Sequence, residues 1–325
     1  MAGRRRKKSG GRSYAWRYRG RIVACVFVEV IIICALVIMI GWNKGVKEWF
    51  EQFEQPVLKE VDISGINSPN AILMQARGGK ILGEINGEAQ IYPASMTKIM
   101  TVILGIENFD DLDEKITLTN EMFSGLYEQD ATQAGFQPGE EVRVIDLLYG
   151  AMLPSGAECC IALADTISGS EADFAELMNK KARKLGMENT HFCDSTGLHN
   201  PDHYSTVKDI AVLMKYCIKN DTFREIVETS RHSTGVTNIH PDGITYYSTM
   251  FKNLSDPTVT GGKILGGKTG YTSEAGHCLV SFAEIEGREY IFVSAGASGA
   301  DGNTIPHIQD AVTVYNRVGA AVEAK

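Results

Sequence analysis

Residues 92–108, YPASMTKIMTVILGIEN, carry apolar side chains at the spacing of an α-helix. Apolar residues that recur every three or four positions predict a buried helix, which we expect to begin near Ser95. Residues three apart share a helix face, so the Lys98 amine can reach the Ser95 hydroxyl. A serine beside a lysine that burial keeps neutral is an activated nucleophile. This stretch therefore predicts a helix whose first turn carries a catalytic serine, Ser95, and its base, Lys98.

Strand patterns flank a block of helical patterns. Residues 71–87, AILMQARGGKILGEING, indicate two strands joined by a Gly-Gly turn. Five helical patterns follow between 144 and 228, strand patterns return over 263–296, and a last helical pattern occupies 305–319. Strands at both ends predict an α/β fold of the α+β type, with one antiparallel sheet and an inserted helical lobe. The cleft between sheet and lobe is the expected place for chemistry.

The N-terminus predicts a membrane anchor. Residues 22–40, IVACVFVEVIIICALVIMI, are nineteen residues with one charge. As a helix they span about 28 Å, the thickness of a bilayer core. Basic residues precede this run and no small-residue cleavage site follows it, so we expect an uncleaved signal anchor with a cytoplasmic tail. The predicted segments are the tail at 1–21, the anchor at 22–41, a stalk at 42–65 and an extracytoplasmic catalytic domain at 66–325.

Composition and charge exclude several classes. The chain is 44% hydrophobic and 22% charged, which is ordinary for a globular protein and excludes a disordered one. Nine of its 32 basic residues lie in residues 1–21, which hold no acid, so 23 basic side chains face all 40 acidic ones in the rest of the chain. An acidic body binds nucleic acid poorly, and we expect no nucleic-acid partner.

The cysteines predict thiols rather than a disulfide framework. Of the seven, Cys25 and Cys34 lie in the predicted anchor and five in the exported part. An odd number in a long domain favours reduced, structural cysteines.

Two further motifs fall where the cleft would collect them. Lys268-Thr269-Gly270, on a predicted edge strand, offers a cation, a hydroxyl and a close backbone approach. Ser155, on a predicted turn between two helices, can relay a proton.

Three other patterns in the sequence suggest competing sites. Ser205–Lys208 repeats the Ser-x-x-Lys spacing, but Thr206 with Asp209 predicts a helix N-cap there. Residues 262–269 match a P-loop pattern, yet Gly270 follows at once and no helix starts at the Lys-Thr pair. His199 and His203 could bind zinc, but Pro201 lies between them, and a local structural role is favoured.

The three motifs and their flanks resemble the low-molecular-mass penicillin-binding proteins, the serine D-alanyl-D-alanine carboxypeptidases. The resemblance lies in LLYGAMLPSGAECCIALAD, MNKKARKLGMENTHFCDSTGLHNPDHYS and GGKTGYTSEAGHCLVSFA, and it covers about residues 66–318. It implies a DD-peptidase/β-lactamase-like fold, peptidoglycan stem peptides ending in D-Ala-D-Ala as substrates, β-lactams as inhibitors, and no metal or cofactor.

The resemblance also implies residue roles. Ser95 matches the acyl-enzyme nucleophile, Lys98 its general base and Ser155 the proton relay. Lys268 and Thr269, with Gly270, match the anchor for the substrate carboxylate. The implied oxyanion hole uses the backbone N–H groups of Ser95 and Thr272.

Two departures from the family pattern leave alternatives open. The motif Ser-x-Asn here ends in Ala157, and the chain stops at Lys325 where many members continue into a β-rich domain. A weakly catalytic or non-catalytic binder of peptidoglycan or penicillin is one alternative, which the missing Asn permits. A β-lactamase of the same fold is another, although no Glu-x-x-x-Asn-type segment stands out.

Overall fold

The computed structural model describes residues 58, 60–254, 256–299 and 305–323. The predicted tail, the predicted anchor and the predicted stalk up to residue 57 lie outside these ranges. Within them, no helix combines the length and the apolar character needed to cross a membrane.

Six strands form one antiparallel sheet in the order β2-β1-β10-β9-β8-β7. Two short hairpins accompany it, β3 with β4 and β5 with β6. The strands are β1 Asn70–Gln75, β2 Ile81–Ile85, β3 Lys115–Thr117, β4 Glu141–Arg143, β5 Arg231–Ser233, β6 Thr245–Tyr247, β7 Thr258–Val259, β8 Gly262–Thr272, β9 Gly276–Ile285 and β10 Arg288–Ala297.

The helices follow the predicted patterns. A 3-10 turn at Ala94–Thr97 runs directly into the first α-helix, and a second 3-10 turn occupies Glu121–Phe123. The helices are α1 Lys98–Asn108, α2 Val144–Met152, α3 Ala157–Ser168, α4 Glu171–Leu185, α5 Val207–Cys217, α6 Asp221–Glu228, α7 Thr249–Asn253 and α8 Pro306–Glu323. The expected sheet from both ends of the domain, with an inserted helical lobe, is therefore confirmed.

The sheet separates two apolar cores. In β1, Ile72 and Met74 point to the core shared with the helical lobe, whereas Ala71 and Leu73 point to the core under α8. This alternation follows from the two-residue period of a strand. Helix α1 is buried from Lys98 to Gly105, so the lobe is built around it. The chemistry at its start is thereby fixed to a rigid element.

Two local details differ from the prediction. Leu58, Val61 and Ile63 are buried in the core under α8, and the Val61 N–H donates to the carbonyl of Leu82 at 2.7 Å. The globular body thus includes residues assigned to the stalk. Strand β8 is also not the outermost strand, because β7 pairs with its first two residues. Beyond that short pairing, β8 leaves its other edge open toward the 3-10 turn.

Candidate active site

The start of α1 brings Ser95 and Lys98 together. Ser95 lies in the 3-10 turn, where residues i and i+3 eclipse each other, and Lys98 is the first residue of the α-helix. The Lys98 Nζ donates to the Ser95 Oγ at 3.1 Å. Ser95 is partly exposed, whereas Lys98 is buried. The predicted helix start and its Ser–Lys contact are confirmed as geometry.

The surroundings of Lys98 favour its neutral form. Burial lowers the pKa of Lys98, against the opposing effects of Cys160, Asp194 and Glu158. Its amine also donates to the carbonyl oxygen of Thr196 at 2.8 Å. A neutral lysine retains a lone pair, which can take the proton of the serine hydroxyl.

A second Ser–Lys contact lies across the cleft. Ser155 occupies the turn between α2 and α3, as predicted, and its Oγ accepts from the Lys268 Nζ at 3.0 Å. Because the oxygen accepts from Lys268, the Ser155 hydrogen is available to another acceptor. Ser155 has a φ of 75°, a conformation that costs a non-glycine residue energy and that clusters at functional sites.

Lys268 lies beneath the cleft and is fully buried. Besides Ser155 its amine contacts the carbonyl of Thr269 at 2.8 Å. Burial, reinforced by the nearby charge of Lys98, places the pKa of Lys268 well below its ordinary value. Two lysines this deeply buried oppose each other's protonation, so the pair favours one neutral amine.

The rest of the Lys-Thr-Gly motif forms the cleft wall on β8. The Thr269 hydroxyl and the Thr249 hydroxyl at the start of α7 are 2.7 Å apart. A Cβ at Gly270 would lie 3.0 Å from the Ser95 nitrogen, so only glycine lets this strand approach the nucleophile so closely. The Thr272 hydroxyl accepts from the Ala275 N–H at 3.0 Å, and the Thr272 backbone as an oxyanion donor stays a prediction.

Ser95, Ser155, Thr269 and Gly270 line one open cleft of about 620 Å³ between sheet and lobe. Several other side chains line it that the motifs did not identify: Tyr271 adjoins Gly270 on β8, and the rest come from segments with no fixed spacing to a motif. Those lining residues are Asp130, Thr132, Thr249, Asn253, Tyr271, His277 and His307.

Ala157 lies beside a smaller cavity of about 50 Å³, which Lys98 also lines. Ala157 begins α3, is 1% exposed, and donates its N–H to the carbonyl of Thr132 at 2.8 Å. A water molecule occupies about 30 Å³ in the liquid, so this cavity has room for one, or for the amide of an asparagine.

The loop between α4 and α5 closes the site from behind. Asp194 accepts from the backbone N–H groups of Thr196 and Gly197, each at 2.7 Å. Burial alone would raise the pKa of Asp194. The hydrogen bonds from His203, Thr196 and Gly197 outweigh burial and lower this pKa to about 2.

The two histidines of the candidate zinc pair make local contacts. His203 is buried and bonds to Thr97 and Asp194, while His199 packs edge-on against Tyr92. No cluster of three metal-ligating side chains occurs in the part of the chain that the structure describes. The second Ser-x-x-Lys copy, at Ser205–Lys208, lies at a helix start as predicted. Thr206 is the N-cap there, because its hydroxyl accepts from the Asp209 N–H.

The cysteines are not candidate nucleophiles. Five free thiols lie in the described ranges, and four of them are buried: Cys159, Cys160, Cys217 and Cys278. Burial raises the pKa of Cys160 to about 12 and that of Cys278 likewise, so these thiols stay protonated at neutral pH.

A serine activated by a lysine, in a cleft between an antiparallel sheet and a helical lobe, is the arrangement of the DD-peptidase class of serine acyl-transfer enzymes. The chain belongs to the D-alanyl-D-alanine carboxypeptidase family, whose family model matches residues 57–299.

Individual relatives agree with this assignment. The D-alanyl-D-alanine carboxypeptidase DacF of Bacillus subtilis is 35% identical over 231 residues, which cover 70% of this chain and 57% of that protein. The D-alanyl-D-alanine carboxypeptidase of Streptomyces sp. strain K15 is 37% identical over 205 residues, covering 61% of this chain and 69% of that protein. This chain spans less than two thirds of the length of DacF and of DacC and DacD of Escherichia coli.

Solved structures share the fold. The crystal structure of the Streptomyces K15 DD-transpeptidase matches with a TM-score of 0.69 and 28% identity, over 82% of this chain and 100% of that one. A D-alanyl-D-alanine carboxypeptidase from Mycobacterium tuberculosis matches with a TM-score of 0.70 at 22% identity, over 82% of this chain and 96% of that one. The second likeness concerns the fold alone.

Proposed function

We propose that this chain is a serine D-Ala-D-Ala carboxypeptidase that removes the terminal D-alanine from peptidoglycan stem peptides and is acylated by penicillins. One observation carries the proposal: the Ser95–Lys98 contact of 3.1 Å faces the same cleft as the Ser155–Lys268 contact of 3.0 Å. Family membership supports the same substrate class.

Acylation uses the two Ser–Lys pairs in turn. The Ser95 Oγ attacks the carbonyl carbon between the two D-alanines, and its proton passes to the neutral Lys98 amine. When the tetrahedral intermediate collapses, the carbon–nitrogen bond breaks. The proton then travels from Lys98 through the Ser155 hydroxyl to the leaving D-alanine nitrogen. The peptide remains as an ester on Ser95.

Deacylation reverses the proton path. A water molecule attacks the ester carbonyl while Lys98 accepts one of its protons, and Ser95 recovers that proton as it leaves. The peptide departs one D-alanine shorter, and the enzyme returns to its starting state.

The residues of β8 that line the cleft are proposed to bind the substrate. The Thr269 hydroxyl faces the cleft, and the Lys268 amine buried beneath it favours a carboxylate there when it is protonated. The backbone N–H groups of Ser95 and Thr272 form the proposed oxyanion hole, whose donors stabilise the negative oxygen of the tetrahedral intermediate.

Labelling with a fluorescent penicillin tests the activity. A stable covalent label on the wild type, together with D-alanine release from a D-Ala-D-Ala peptide, supports the carboxypeptidase. Rapid loss of the label as hydrolysed penicillin indicates a β-lactamase instead. A label without D-alanine release indicates a penicillin binder.

The missing asparagine is expected to slow the enzyme without abolishing it. One neutral hydrogen bond contributes about 0.5–1.5 kcal/mol and one to a charged group about 1.5–3 kcal/mol. Losing one from the transition state lowers the rate by roughly 3- to 100-fold. We therefore expect Ala157→Asn, whose amide can enter the cavity beside Lys98, to raise kcat/KM by less than about 100-fold.

The measurement is D-alanine release by both proteins at several peptide concentrations. Robust release by the asparagine variant beside an inactive wild type would contradict a catalytic wild type and favour the binder.

We propose that residues 22–41 anchor the protein, with residues 1–21 in the cytoplasm and the catalytic domain outside. The charge asymmetry of the N-terminus supports this topology. A protease added to wall-stripped whole cells is expected to remove the catalytic domain, while a cytoplasmic control protein survives. Protection of the domain until the cells are lysed would contradict this orientation.

A further inference from the structure

One carboxylate connects the two segments that hold Lys98. The Asp194 Oδ1 accepts from the N–H and hydroxyl of Thr196 and from the N–H of Gly197, each at 2.7 Å. The carbonyl of the same Thr196 accepts the Lys98 amine at 2.8 Å. The Asp194 Oδ2 faces His203 Nδ1 at 3.2 Å, and His203 Nε2 lies 2.9 Å from the Thr97 hydroxyl. Thr97 directly precedes Lys98.

Both ring nitrogens of His203 have polar partners, and the Cys193 N–H also lies 3.3 Å from Nδ1. A carboxylate only accepts hydrogen bonds, so its contact with His203 requires the hydrogen on Nδ1. The other ring nitrogen, Nε2, shares a hydrogen bond with the Thr97 hydroxyl at 2.9 Å. His203 is 2% exposed, so no bulk water competes for either nitrogen.

We propose that Asp194 and His203 are positioning residues that hold the Lys98 amine at Ser95 and tune its basicity, an inference that rests on the proposed function. Asp194 fixes the carbonyl that Lys98 contacts, and through His203 it fixes the turn that carries Ser95 and Lys98. Neither side chain touches the substrate in this account.

The charge of Asp194 also acts on Lys98 directly. A nearby carboxylate stabilises the protonated amine and so raises the pKa of Lys98, which burial lowers. The other groups that raise it are Glu158, Cys159 and Cys160, and the charge of Lys98 in turn lowers the pKa of the nearby Lys268. Removing the Asp194 charge therefore makes Lys98 a weaker base that stays neutral to lower pH.

The replacement Asp194→Asn separates these effects from a loss of fold. The asparagine Oδ1 can still accept from Thr196 and Gly197, but its NH₂ group faces His203 Nδ1 and cannot accept a hydrogen bond from it. The loop should stay folded, because Thr101 donates to the Ser195 carbonyl at 2.5 Å and Glu171 accepts from Ser195.

The measurement is the second-order rate of penicillin acylation by the full-length protein from pH 5 to pH 9. In a plot of this rate against pH, the plateau is the highest rate and the acid limb is the fall in rate toward low pH. For Asp194→Asn we expect the plateau to fall by about 10- to 100-fold and the acid limb to move by about 0.5 pH unit toward lower pH. For His203→Gln, which leaves the Asp194 carboxylate in place, we expect a lower plateau with the acid limb unmoved.

The matched control is Asp209→Asn. Asp209 accepts from the Asn189 N–H at 3.0 Å and the Thr190 hydroxyl at 2.7 Å, so it holds the same loop without touching Thr196, Thr97 or Lys98. Its plateau and acid limb should match the wild type even if its melting temperature falls.

Two outcomes would overturn the inference, given an active wild type. One is an unchanged acylation profile in Asp194→Asn. The other is the same loss of plateau in Asp209→Asn, with no shift of the acid limb in either variant. An inactive wild type would instead contradict the proposed function itself.

Discussion

Replacing Ser95 with alanine is expected to abolish covalent labelling by penicillin and leave the fold intact. The side chain is partly exposed at the cleft and its hydroxyl accepts only one contact, from Lys98, in the described part of the chain. Removing it therefore costs little packing, while it removes the atom that forms the ester. Intact-mass spectrometry after incubation with penicillin should show no added mass, and the melting temperature should stay close to that of the wild type.

The matched control is Ser205→Ala in the second Ser-x-x-Lys copy. Ser205 is buried and its hydroxyl bonds to the Thr190 hydroxyl at 2.8 Å, away from the cleft. This variant should still gain one penicillin per chain. A stoichiometric adduct on Ser95→Ala would show that the nucleophile has been wrongly assigned.

Replacing Lys98 with methionine is expected to slow acylation by about 100- to 10,000-fold, the range of general base catalysis. Methionine keeps an unbranched, buried side chain but has no lone pair of comparable basicity. In the wild type the acylation rate should fall as the pH drops and Lys98 becomes protonated. Because burial lowers the pKa of Lys98, this fall occurs below the ordinary lysine range. In Lys98→Met that acid limb should disappear.

Lys208→Met is the control for loss of a lysine from a Ser-x-x-Lys motif. Lys208 is about two fifths exposed and forms an ion pair with Glu88 at 2.5 Å. Surface pairs of this kind contribute little, so rate and pH profile should stay unchanged. Acylation of Lys98→Met at the wild-type rate would mean that another group removes the serine proton.

The fold was predictable because its elements are strongly patterned. Residues 71–74, AILM, are apolar at every position, which is typical of a strand with a core on each face. The start of the body was not predictable in this way. Val61 joins it through a backbone hydrogen bond to Leu82, and such a bond leaves no trace in side-chain type.

The part of the site that could be predicted consists of residues close together in the sequence. Ser95 and Lys98 are three residues apart, so a single turn brings them together. Thr249 and the Asp194 loop lie outside the motifs, and only the folded chain brings Thr249 to Thr269 and the carbonyl of Thr196 to Lys98. Lys268 was identified as a cation at the cleft, but its burial beneath Thr269 depends on packing between β8 and the lobe.

Release of D-alanine from a synthetic peptide ending in D-Ala-D-Ala tests the central claim most directly. The full-length wild-type protein should release one D-alanine per peptide, and the Ser95→Ala variant, prepared and assayed in parallel, should release none. Equal release by both proteins, or none by a folded wild type, would contradict the assignment of this chain as a serine carboxypeptidase acting through Ser95.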